Sequence, residues 1–326
     1  MRRRSICILG GTGFVGHHLV ARLARDGHDM TVLTRYREAH RDLLVLPTLR
    51  LVEADVHDPL ALRTHFTGCD TVINLVGILN ERGHDGSGFA AVHTRLAESV
   101  VSAARVTGVR RLLHMSALKA DPSGPSHYLR SKGEAERAVR EGCAGAVDWT
   151  IFRPSVIFGP GDSFFNRFAG LLKTFPVLPL ARPNARFAPV YVGDVAEAFA
   201  RALATTAAEG VTYELCGPFV YSLREIVELT AGHMGVKRAV VRLPTSIARL
   251  QARIMDFLPG KPFSTDNFRS LSVHSICNAS APGLKELGIR PAGVESVLDR
   301  YLGAPADDTA FPADSARARS RLPRTS

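Results

Sequence analysis

The chain has 326 residues, of which 45% are hydrophobic and 22% are charged, the balance of an ordinary soluble globular protein. No uninterrupted apolar run approaches the roughly 20 residues that cross a bilayer, and the first apolar run is too short for a signal peptide. The formal net charge is +10, but the arginines are scattered and not interleaved with aromatic residues. Composition therefore favours an anionic cofactor or partner over nucleic acid, and we expect a cytoplasmic protein.

In chain order, the first half alternates short β-rich apolar runs with helical patterns. The predicted strands are Ser5–Leu9, Met30–Thr34, Leu49–Glu53, Thr71–Leu75, Arg111–Met115 and Trp149–Arg153. The predicted helices between them are Val15–Asp26, Pro59–Phe66, His93–Thr107 and Tyr128–Glu141. This alternation predicts an α/β fold with a doubly wound parallel Rossmann sheet, which binds ligands at the carboxyl ends of its strands.

Beyond about residue 155 the alternation stops, and proline, glycine and phenylalanine become frequent. Further helices are predicted at Gly193–Thr205, Ser222–Met234 and Thr245–Phe257. We expect a Rossmann domain over residues 1–155, joined by returning segments near 185–200. A smaller, mainly helical capping domain follows over 156–303, and the Ala-, Arg-, Ser- and Pro-rich stretch 304–326 is predicted to be a disordered tail.

The five cysteines lie far apart, with no C-x-x-C pair. They are Cys7, Cys69, Cys143, Cys216 and Cys277. This spacing predicts reduced, mostly buried thiols, and neither a disulfide framework nor a zinc site. His17, His18 and His127 have no carboxylate at ligand spacing, so we expect no metal site.

The run Gly10-Gly-Thr-Gly13-Phe-Val-Gly16 follows the first predicted strand and opens a helix. In that context glycines permit the tight turn, the close approach of a pyrophosphate and the packing of helix on sheet. The helix N-terminus offers backbone N–H groups to the phosphates. The loop therefore predicts a dinucleotide site, with a merely glycine-rich turn as the alternative. Its candidate contact residues are Gly10, Thr12, Gly13, Phe14, Val15 and Gly16.

The end of the second strand distinguishes the two dinucleotides. NAD-binding sites carry an acidic residue there for the ribose 2′-hydroxyl, whereas this chain has Arg35 and Arg37. Guanidinium groups can pair with a 2′-phosphate through charge-assisted bonds. We therefore favour NADP(H) over NAD(H); the alternative is that both arginines are solvated surface charges.

Two strand ends fit the adenosine side of the same site. Asp55 and Val56 follow the third strand, where a short acid can accept a hydrogen bond from the adenine amino group. The segment Leu75-Val76-Gly77 ends the fourth strand and is expected to pass the ribose. Both segments are also compatible with ordinary strand ends that hold no ligand.

Tyr128 and Lys132 lie four residues apart, so a helix presents both on one face. We expect Lys132 to lower the pKa of the Tyr128 phenol and to hold the nicotinamide ribose, which makes Tyr128 a proton donor or acceptor. Ser116, at the end of the fifth strand, is the candidate third member of this catalytic group.

These motifs carry a family resemblance. The glycine loop, the Tyr128/Lys132 pair, the run Phe152-Arg-Pro-Ser-Val-Ile-Phe-Gly-Pro-Gly161 and the run Val190-Tyr-Val-Gly-Asp-Val-Ala196 resemble the extended short-chain dehydrogenase/reductase superfamily. The run His114-Met-Ser-Ala-Leu-Lys119 is similar to the atypical branch that contains the 39-kDa subunit of respiratory complex I and its bacterial relatives. Those relatives are often described as NAD-dependent epimerases or dehydratases of nucleotide sugars.

The resemblance implies that Tyr128 handles a proton, that Lys132 orients the ribose and that Ser116 polarises the substrate oxygen. It also implies that Pro154 and Val156 border the nicotinamide. The pattern departs from active members at Ser116, the only hydroxyl near its place, and at Val190-Tyr191, where a histidine-containing pair is usual. Two functions stay open: an NADP(H)-dependent oxidoreductase or epimerase of an unknown small molecule, and a non-catalytic NADPH-binding protein of respiratory-complex or quinone-related assembly.

Two features of the C-terminal part concern partners. Basic side chains that could bind a diphosphate-sugar, or could be solvated charges, are Arg167, Lys173, Arg182 and Arg186. Residues 245–258 predict a basic amphipathic helix. Its apolar residues at helical spacing are Ile247, Leu250, Ile254 and Phe257. Such a helix can lie on an anionic membrane, at its inner face, or dock on a protein complex; alternatively, the stripe is buried against its own domain.

Overall fold

The computed structural model describes residues 3–258 and 261–302. Its strands are β1 (Ser5–Leu9), β2 (Asp29–Thr34), β3 (Leu49–Glu53), β4 (Thr71–Asn74), β5 (Arg111–Met115), β6 (Asp148–Pro154), β7 (Ile157–Phe158), β8 (Val177–Leu180), β9 (Arg186–Phe187), β10 (Val190–Tyr191), β11 (Val211–Leu215), β12 (Tyr221–Ser222) and β13 (Ala239–Arg242). Its α-helices are α1 (Phe14–Arg25), α2 (Pro59–Phe66), α3 (Ser87–Phe89), α4 (Leu96–Thr107), α5 (His127–Cys143), α6 (Phe165–Thr174), α7 (Val192–Ala204), α8 (Leu223–His233), α9 (Thr245–Met255), α10 (Thr265–Ser270) and α11 (Val294–Leu298). A 3₁₀ segment spans Arg37–Val45, and a π-helical segment, Ala90–Arg95, leads into α4.

Seven of these strands form one parallel sheet in the order β11-β6-β5-β4-β1-β2-β3. The chain adds β2 and β3 on one side of β1 and then returns to build the other side from β4. The order therefore reverses between β1 and β4, and the carboxyl ends of these strands open the crevice where doubly wound sheets bind ligands. The sheet confirms the predicted fold class.

Helices cover both faces of the sheet, which is why β4 and β5 are buried along their whole length. On one face α1 and α7 enclose a core with residues of β1, β2 and β6. On the other face α2, α4 and α5 enclose a second core. The helix α5 begins where Ser126 accepts a hydrogen bond from the Leu129 amide at 3.2 Å, an N-cap that fixes the start of the helix next to the sheet.

The remaining chain forms a smaller part beside the carboxyl ends of the strands. It contains three two-stranded pairs, β7 with β10, β8 with β13, and β9 with β12. Its core is aromatic and aliphatic and joins α6, α8 and α11 through Phe165, Ile226 and Val297. The strand β11 was not predicted: it lies within the segment expected to be the smaller domain, yet it completes the large sheet beside β6.

The cysteine prediction is wrong at one pair. Cys216 and Cys277 form a disulfide across a sequence separation of 61 residues, whereas Cys7, Cys69 and Cys143 are free. The fold brings the pair together because the segment after α10 returns to the sheet, where Ser155 Oγ donates to the Ser275 carbonyl at 2.8 Å. No spacing along the chain could indicate that return.

The interpretation of residues 245–258 as a buried stripe is also wrong. The helix α9 packs on its own part through Ala248 and Ala252, which are buried. The apolar residues at helical spacing face outward, and Phe257 is 82% exposed. Within the described residues, no helix is both long and apolar enough to cross a membrane. The predicted tail, 304–326, lies outside the described residues.

Candidate functional site

The glycine loop turns sharply between β1 and α1. Gly10 has φ +77°, in the left-handed region, and its carbonyl accepts a hydrogen bond from Gly13 N at 3.0 Å. A Cβ on Gly16 would lie 2.4 Å from the carbonyl oxygens of both Gly10 and Gly11, so only glycine fits. No side chain caps the helix that starts at Phe14, which leaves its first amide groups directed at the crevice. The loop therefore fits a pyrophosphate.

The other predicted loop residues lie around this turn. Thr12, Phe14 and Val15 are half-buried at the mouth of α1. On the far side, the Leu75 amide donates to the Leu9 carbonyl at 2.9 Å, which places the end of β4 beside the loop. These residues thus lie next to the reversal of strand order.

The two arginines after β2 are exposed. Arg35 lies over the Tyr36 ring, 6.0 Å from its centroid. The Arg37 amide donates to Glu53 Oε2 at 3.2 Å. Within residues 3–258 and 261–302 neither guanidinium forms an ion pair, so both charges are available to an anionic group at this edge.

At the adenosine side, the strand-end acids and amides hold local turns. Asp55 Oδ1 accepts from the His57 amide at 2.9 Å, and Val56 packs against the core beneath. Asn74 Oδ1 accepts from the Val76 amide at 3.1 Å, which fixes the course of the chain toward Gly77. These turns shape the wall of the crevice.

Tyr128 and Lys132 lie one turn apart in the first half of α5. The Lys132 side chain is buried, and its Nζ donates to the carbonyl of Met115, the last residue of β5, at 3.1 Å. Burial lowers the pKa of Lys132 to about 8, with the Glu136 carboxylate acting in the opposite direction. Burial raises the pKa of Tyr128 to about 12. The expectation that Lys132 lowers the phenol pKa is therefore wrong: desolvation dominates, and the ammonium points at a carbonyl.

His93 links this pair to the loop after β4. Its Nε2 accepts from the Ile78 amide at 3.1 Å, so Nδ1 carries the proton and donates to Ser131 Oγ at 2.8 Å. Ser131 Oγ in turn donates to the Tyr128 carbonyl at 2.9 Å. Burial, followed by the charge of Lys132, lowers the pKa of His93 to about 2, which keeps the ring neutral. The ring also meets the Tyr128 ring edge-on at 5.6 Å.

The close approach at Gly77 completes the crevice. A Cβ there would lie 3.2 Å from Lys132 Nζ and 3.5 Å from His93 Nε2. On the opposite side, the Pro154 carbonyl accepts from the Leu118 amide at 3.0 Å, and the Val156 carbonyl accepts from the Val190 amide at 2.9 Å. The predicted nicotinamide border is thus a stretch of backbone anchored at both residues.

The orientation of the Ser116 side chain differs from the one that its expected catalytic role requires. Its hydroxyl is buried and donates to Glu136 Oε1 at 2.5 Å. The same carboxylate receives two hydrogen bonds from Arg153, at 2.7 and 2.6 Å, and one from Arg140 at 2.7 Å. Ser116 therefore serves a buried ionic cluster, and the prediction that it polarises a substrate oxygen does not match its orientation.

The smaller part of the protein positions Tyr128. Asp266, in α10, accepts from the backbone amides of His127 at 2.6 Å and Tyr128 at 3.1 Å. This carboxylate at the N-terminus of α5 complements the helix dipole and ties the two parts of the protein together.

His17 has no carboxylate at ligand spacing along the sequence, but the fold brings one to it. The 3₁₀ segment brings Asp42 Oδ2 to 3.2 Å from His17 Nε2, and His40 joins them. One ligand atom of each of these three side chains lies within 4.8 Å of the other two. Sequence spacing could not show this contact, because it joins a helix to the loop after the neighbouring strand.

Sequence reasoning missed His93, Ser131, Glu136 and Asp266. Glu136 carried a signal, because it follows Lys132 by one helical turn and so continues the same face of α5. The sequence signal for His93 was weaker, because it is only a polar residue among mostly apolar positions of a predicted helix. Asp266 had none, since its contact with α5 is made across 138 residues.

A sheet whose strand order reverses at a glycine loop, with a tyrosine and a lysine one turn apart beside it, defines a Rossmann-fold protein of the short-chain dehydrogenase/reductase type. Residues 6–216 match the family described as the NAD dependent epimerase/dehydratase family, and the chain belongs to this family. Nicotinamide dinucleotides are accordingly the class of cofactor that this family binds.

Three similar proteins illustrate the range of the family. NADH dehydrogenase (ubiquinone) 1 alpha subcomplex subunit 9, mitochondrial, of Rattus norvegicus is 30% identical over 88% of this chain and 77% of its own length. Ceramide reductase of Caulobacter vibrioides is 35% identical over 74% of each chain. An NADPH-dependent quinone oxidoreductase from Escherichia coli, solved with NADPH, shares the fold with a TM-score of 0.73 at 18% identity, covering 90% of this chain and 99% of its own. These similarities confirm the resemblance that the motifs indicated.

Proposed function

We propose that the protein is an NADP(H)-dependent oxidoreductase that reduces the carbonyl group of an apolar small molecule, with Tyr128 as the proton donor. The observation that carries the proposal is the arrangement of Tyr128 and Lys132 beside the crevice, locked to the loop at Gly77 by His93 and Ser131. Such a fixed arrangement is what proton transfer to a bound substrate requires.

The reduced nicotinamide, when bound, supplies a hydride to the carbonyl carbon. Tyr128 Oη gives its proton to the carbonyl oxygen, so that the product is an alcohol. A pKa of about 12 keeps this phenol protonated at neutral pH, which favours the reducing direction, because oxidation needs the phenolate as a base. Lys132, whose pKa is about 8, is mainly protonated at neutral pH, and its ammonium lies beside Gly77, where the nicotinamide ribose would be held.

The preference for NADP(H) is part of the proposal. Arg35 and Arg37 are exposed at the end of β2, where a ribose 2′-phosphate would lie in a Rossmann site. A bidentate arginine contact adds both charge and geometry to the recognition of a phosphate.

An apolar substrate is favoured over a nucleotide sugar. The ceramide reductase that is 35% identical to this chain acts, by its name, on a lipid. The exposed apolar face of α9, within residues 245–258, offers a surface for a membrane or a protein complex on the same side of the molecule as α10, which holds Tyr128. The proposal therefore includes a location of the protein at the inner face of the membrane.

The test uses the purified protein with NADPH, following the absorbance of the reduced nicotinamide with long-chain ketones, quinones and nucleotide sugars. We expect oxidation with an apolar ketone, and a loss of at least about 100-fold in kcat for Tyr128→Phe, since general acid catalysis contributes about that much. The control Tyr213→Phe removes a phenol from β11, outside the crevice, and should retain the wild-type rate. Equal rates for wild type and Tyr128→Phe would show that the phenol is not the donor.

A second candidate function is a non-catalytic NADPH-binding protein of respiratory-complex or quinone-related assembly. The orientation of Ser116 toward Glu136 favours it, because the hydroxyl is then not offered to a substrate. The name of the 30% identical Rattus norvegicus relative agrees with such a role. Under this function, NADPH stays bound and unoxidised with every substrate class in the same assay.

A further inference from the structure

One outward face of α9 is apolar, and the exposed apolar residues continue past the end of the helix to Phe257 and Leu258. The exposed fractions are 52% for Ile247, 58% for Leu250, 58% for Ile254, 82% for Phe257 and 47% for Leu258. Because Ala248 and Ala252 make the contact with the protein, the longer apolar side chains are left to solvent. A contiguous patch of exposed apolar side chains indicates a surface that binds a membrane or an apolar region of a partner.

Arginines surround a cavity on one flank of the same helix. The cavity has a volume of about 600 Å³ and is lined by residues of α9, α10 and the turn before β9. The arginines that line it are Arg182, Arg249, Arg253 and Arg269. Leu250 lines it as well, so the cavity opens directly onto the apolar face.

The positive charge of this cavity is not neutralised by the protein. Among the described residues, none of its arginines forms an ion pair. The nearby carboxylates are used elsewhere, since Asp256 accepts from Thr265 N and Oγ1, at 3.0 and 2.6 Å, and Asp266 accepts from α5 amides. Arg182 Nε is a buried donor that finds no acceptor within residues 3–258 and 261–302.

Arg182 is also fixed in place. Its backbone has φ +48°, a conformation that a non-glycine residue rarely adopts. Its guanidinium lies over the Phe268 ring, 4.6 Å from the centroid. A guanidinium that stacks on a ring, lines a cavity and has a buried Nε with no acceptor among the described residues is suited to a phosphate group.

We propose that the arginine cavity and the apolar face of α9 together form a docking surface for an anionic phospholipid bilayer. The cavity takes the phosphate of a lipid headgroup, and Ile254 and Phe257 enter the acyl boundary. Charge complementarity selects this occupant, because a purely apolar protein partner would leave four arginines unpaired.

The docking surface is continuous with the crevice. The α10 residue Asn267 donates to the Leu79 carbonyl at 3.3 Å, and Lys261 Nζ donates to the carbonyls of Arg82 and Gly83 at 3.2 and 2.6 Å. This loop begins at Gly77, beside Lys132. These contacts place the docking surface on the side from which a substrate dissolved in the bilayer would approach Tyr128. In that role the inference rests on the proposed function, whereas binding to the bilayer is measured separately.

The experiment is co-sedimentation of the full chain with vesicles of phosphatidylcholine alone and of phosphatidylcholine with phosphatidylglycerol. We expect binding only to the anionic vesicles, unaffected by inorganic phosphate at constant ionic strength. Two variants probe the two halves of the surface, Arg249→Gln/Arg253→Gln and Ile254→Ser/Phe257→Ser. Each should weaken binding about 10-fold or more. The matched controls, Arg63→Gln on α2 and Val106→Ser on α4, should bind as wild type.

Calorimetry with NADPH on the same samples separates this inference from the proposed function. Variants that bind NADPH normally but have lost the vesicles support the docking surface whether or not the protein turns over. Equal binding to neutral and anionic vesicles, or variants that bind like wild type, would overturn it. Displacement by inorganic phosphate would overturn it in favour of a soluble anion, and self-association lost in Phe257→Ser would overturn it in favour of a second copy of the chain.

Discussion

Ser116 Oγ donates a 2.5 Å hydrogen bond to Glu136, a carboxylate with 0% exposure between α5 and the sheet. Arg153 and Arg140 neutralise the same group from β6 and from α5 itself. The cluster fixes the end of β5, the end of β6 and the helix that carries Tyr128 and Lys132 relative to each other. Its function is to hold the crevice in shape.

Glu136→Gln should destabilise the fold. The substitution leaves Arg153, which is mostly buried, with only the longer 3.9 Å pair to Glu214, and breaking a buried ion pair costs about 3 kcal/mol. The control Glu134→Gln removes only a partly exposed pair with Arg137, which is worth less than about 1 kcal/mol. Urea unfolding of both variants measures the difference. Equal midpoints would show that the cluster does not stabilise the protein.

Binding of NADPH should weaken as the pH rises through about 8. Burial lowers the pKa of Lys132 to that value, so the ammonium is present below it and is lost above it. Losing one hydrogen bond from a charged group weakens binding about 10-fold between pH 7 and pH 9. The variant Lys132→Arg stays protonated and should lose this dependence. Titrations of NADPH between pH 7 and pH 9, on the wild type and on Lys132→Arg, measure this dependence. The same pH dependence in both proteins would show that Lys132 is not the titrating group.

Arg35→Asp should reverse the choice of dinucleotide. The variant loses a charge-assisted contact to the 2′-phosphate and repels that phosphate, while it offers a carboxylate to the 2′-hydroxyl of NAD(H). The ratio of the two dissociation constants should shift by at least about 10-fold toward NADH. Calorimetry with NADPH and NADH measures it. An unchanged ratio would show that Arg35, at the end of β2, does not select NADP(H).

Reduction of the Cys216–Cys277 disulfide should lower the free energy of unfolding. The bond closes a loop across 61 residues, and in the chain-entropy description such a loop stabilises by about 4 kcal/mol. Cys216→Ser/Cys277→Ser should unfold at the same lower urea concentration with or without reductant, and Cys69→Ser should behave as wild type. Insensitivity of the wild type to reductant would contradict the pairing.

The local elements of the Rossmann half follow from the sequence because they depend on short-range patterns. Ser5–Leu9 and Pro59–Phe66 have the predicted bounds, and the loop ending at Gly16 has the predicted context of strand and helix. The Tyr128/Lys132 pair was found for the same reason, since a spacing of four residues on a helix fixes a shared face.

The errors concern contacts between distant parts of the chain. A residue just past a strand can face either side of the sheet, so sequence could not show that Ser116 turns to Glu136. The partner of Cys216 and the carboxylate beside His17 lie on segments whose return paths carry no local signal. For α9, the spacing of the apolar residues predicted that they share one face of the helix, but it could not show whether that face is buried or exposed.

The most direct test of the account is a calorimetric titration of NADPH into the wild type and into Gly16→Val. A side chain at this position would lie 2.4 Å from two loop carbonyls, so the pyrophosphate cradle cannot form. We predict saturable binding to the wild type and to the control Gly170→Ala, where the added methyl group meets nothing within 4 Å, and no binding to Gly16→Val. Absence of heat with the wild type, or undiminished binding to Gly16→Val, would contradict a dinucleotide site at this loop.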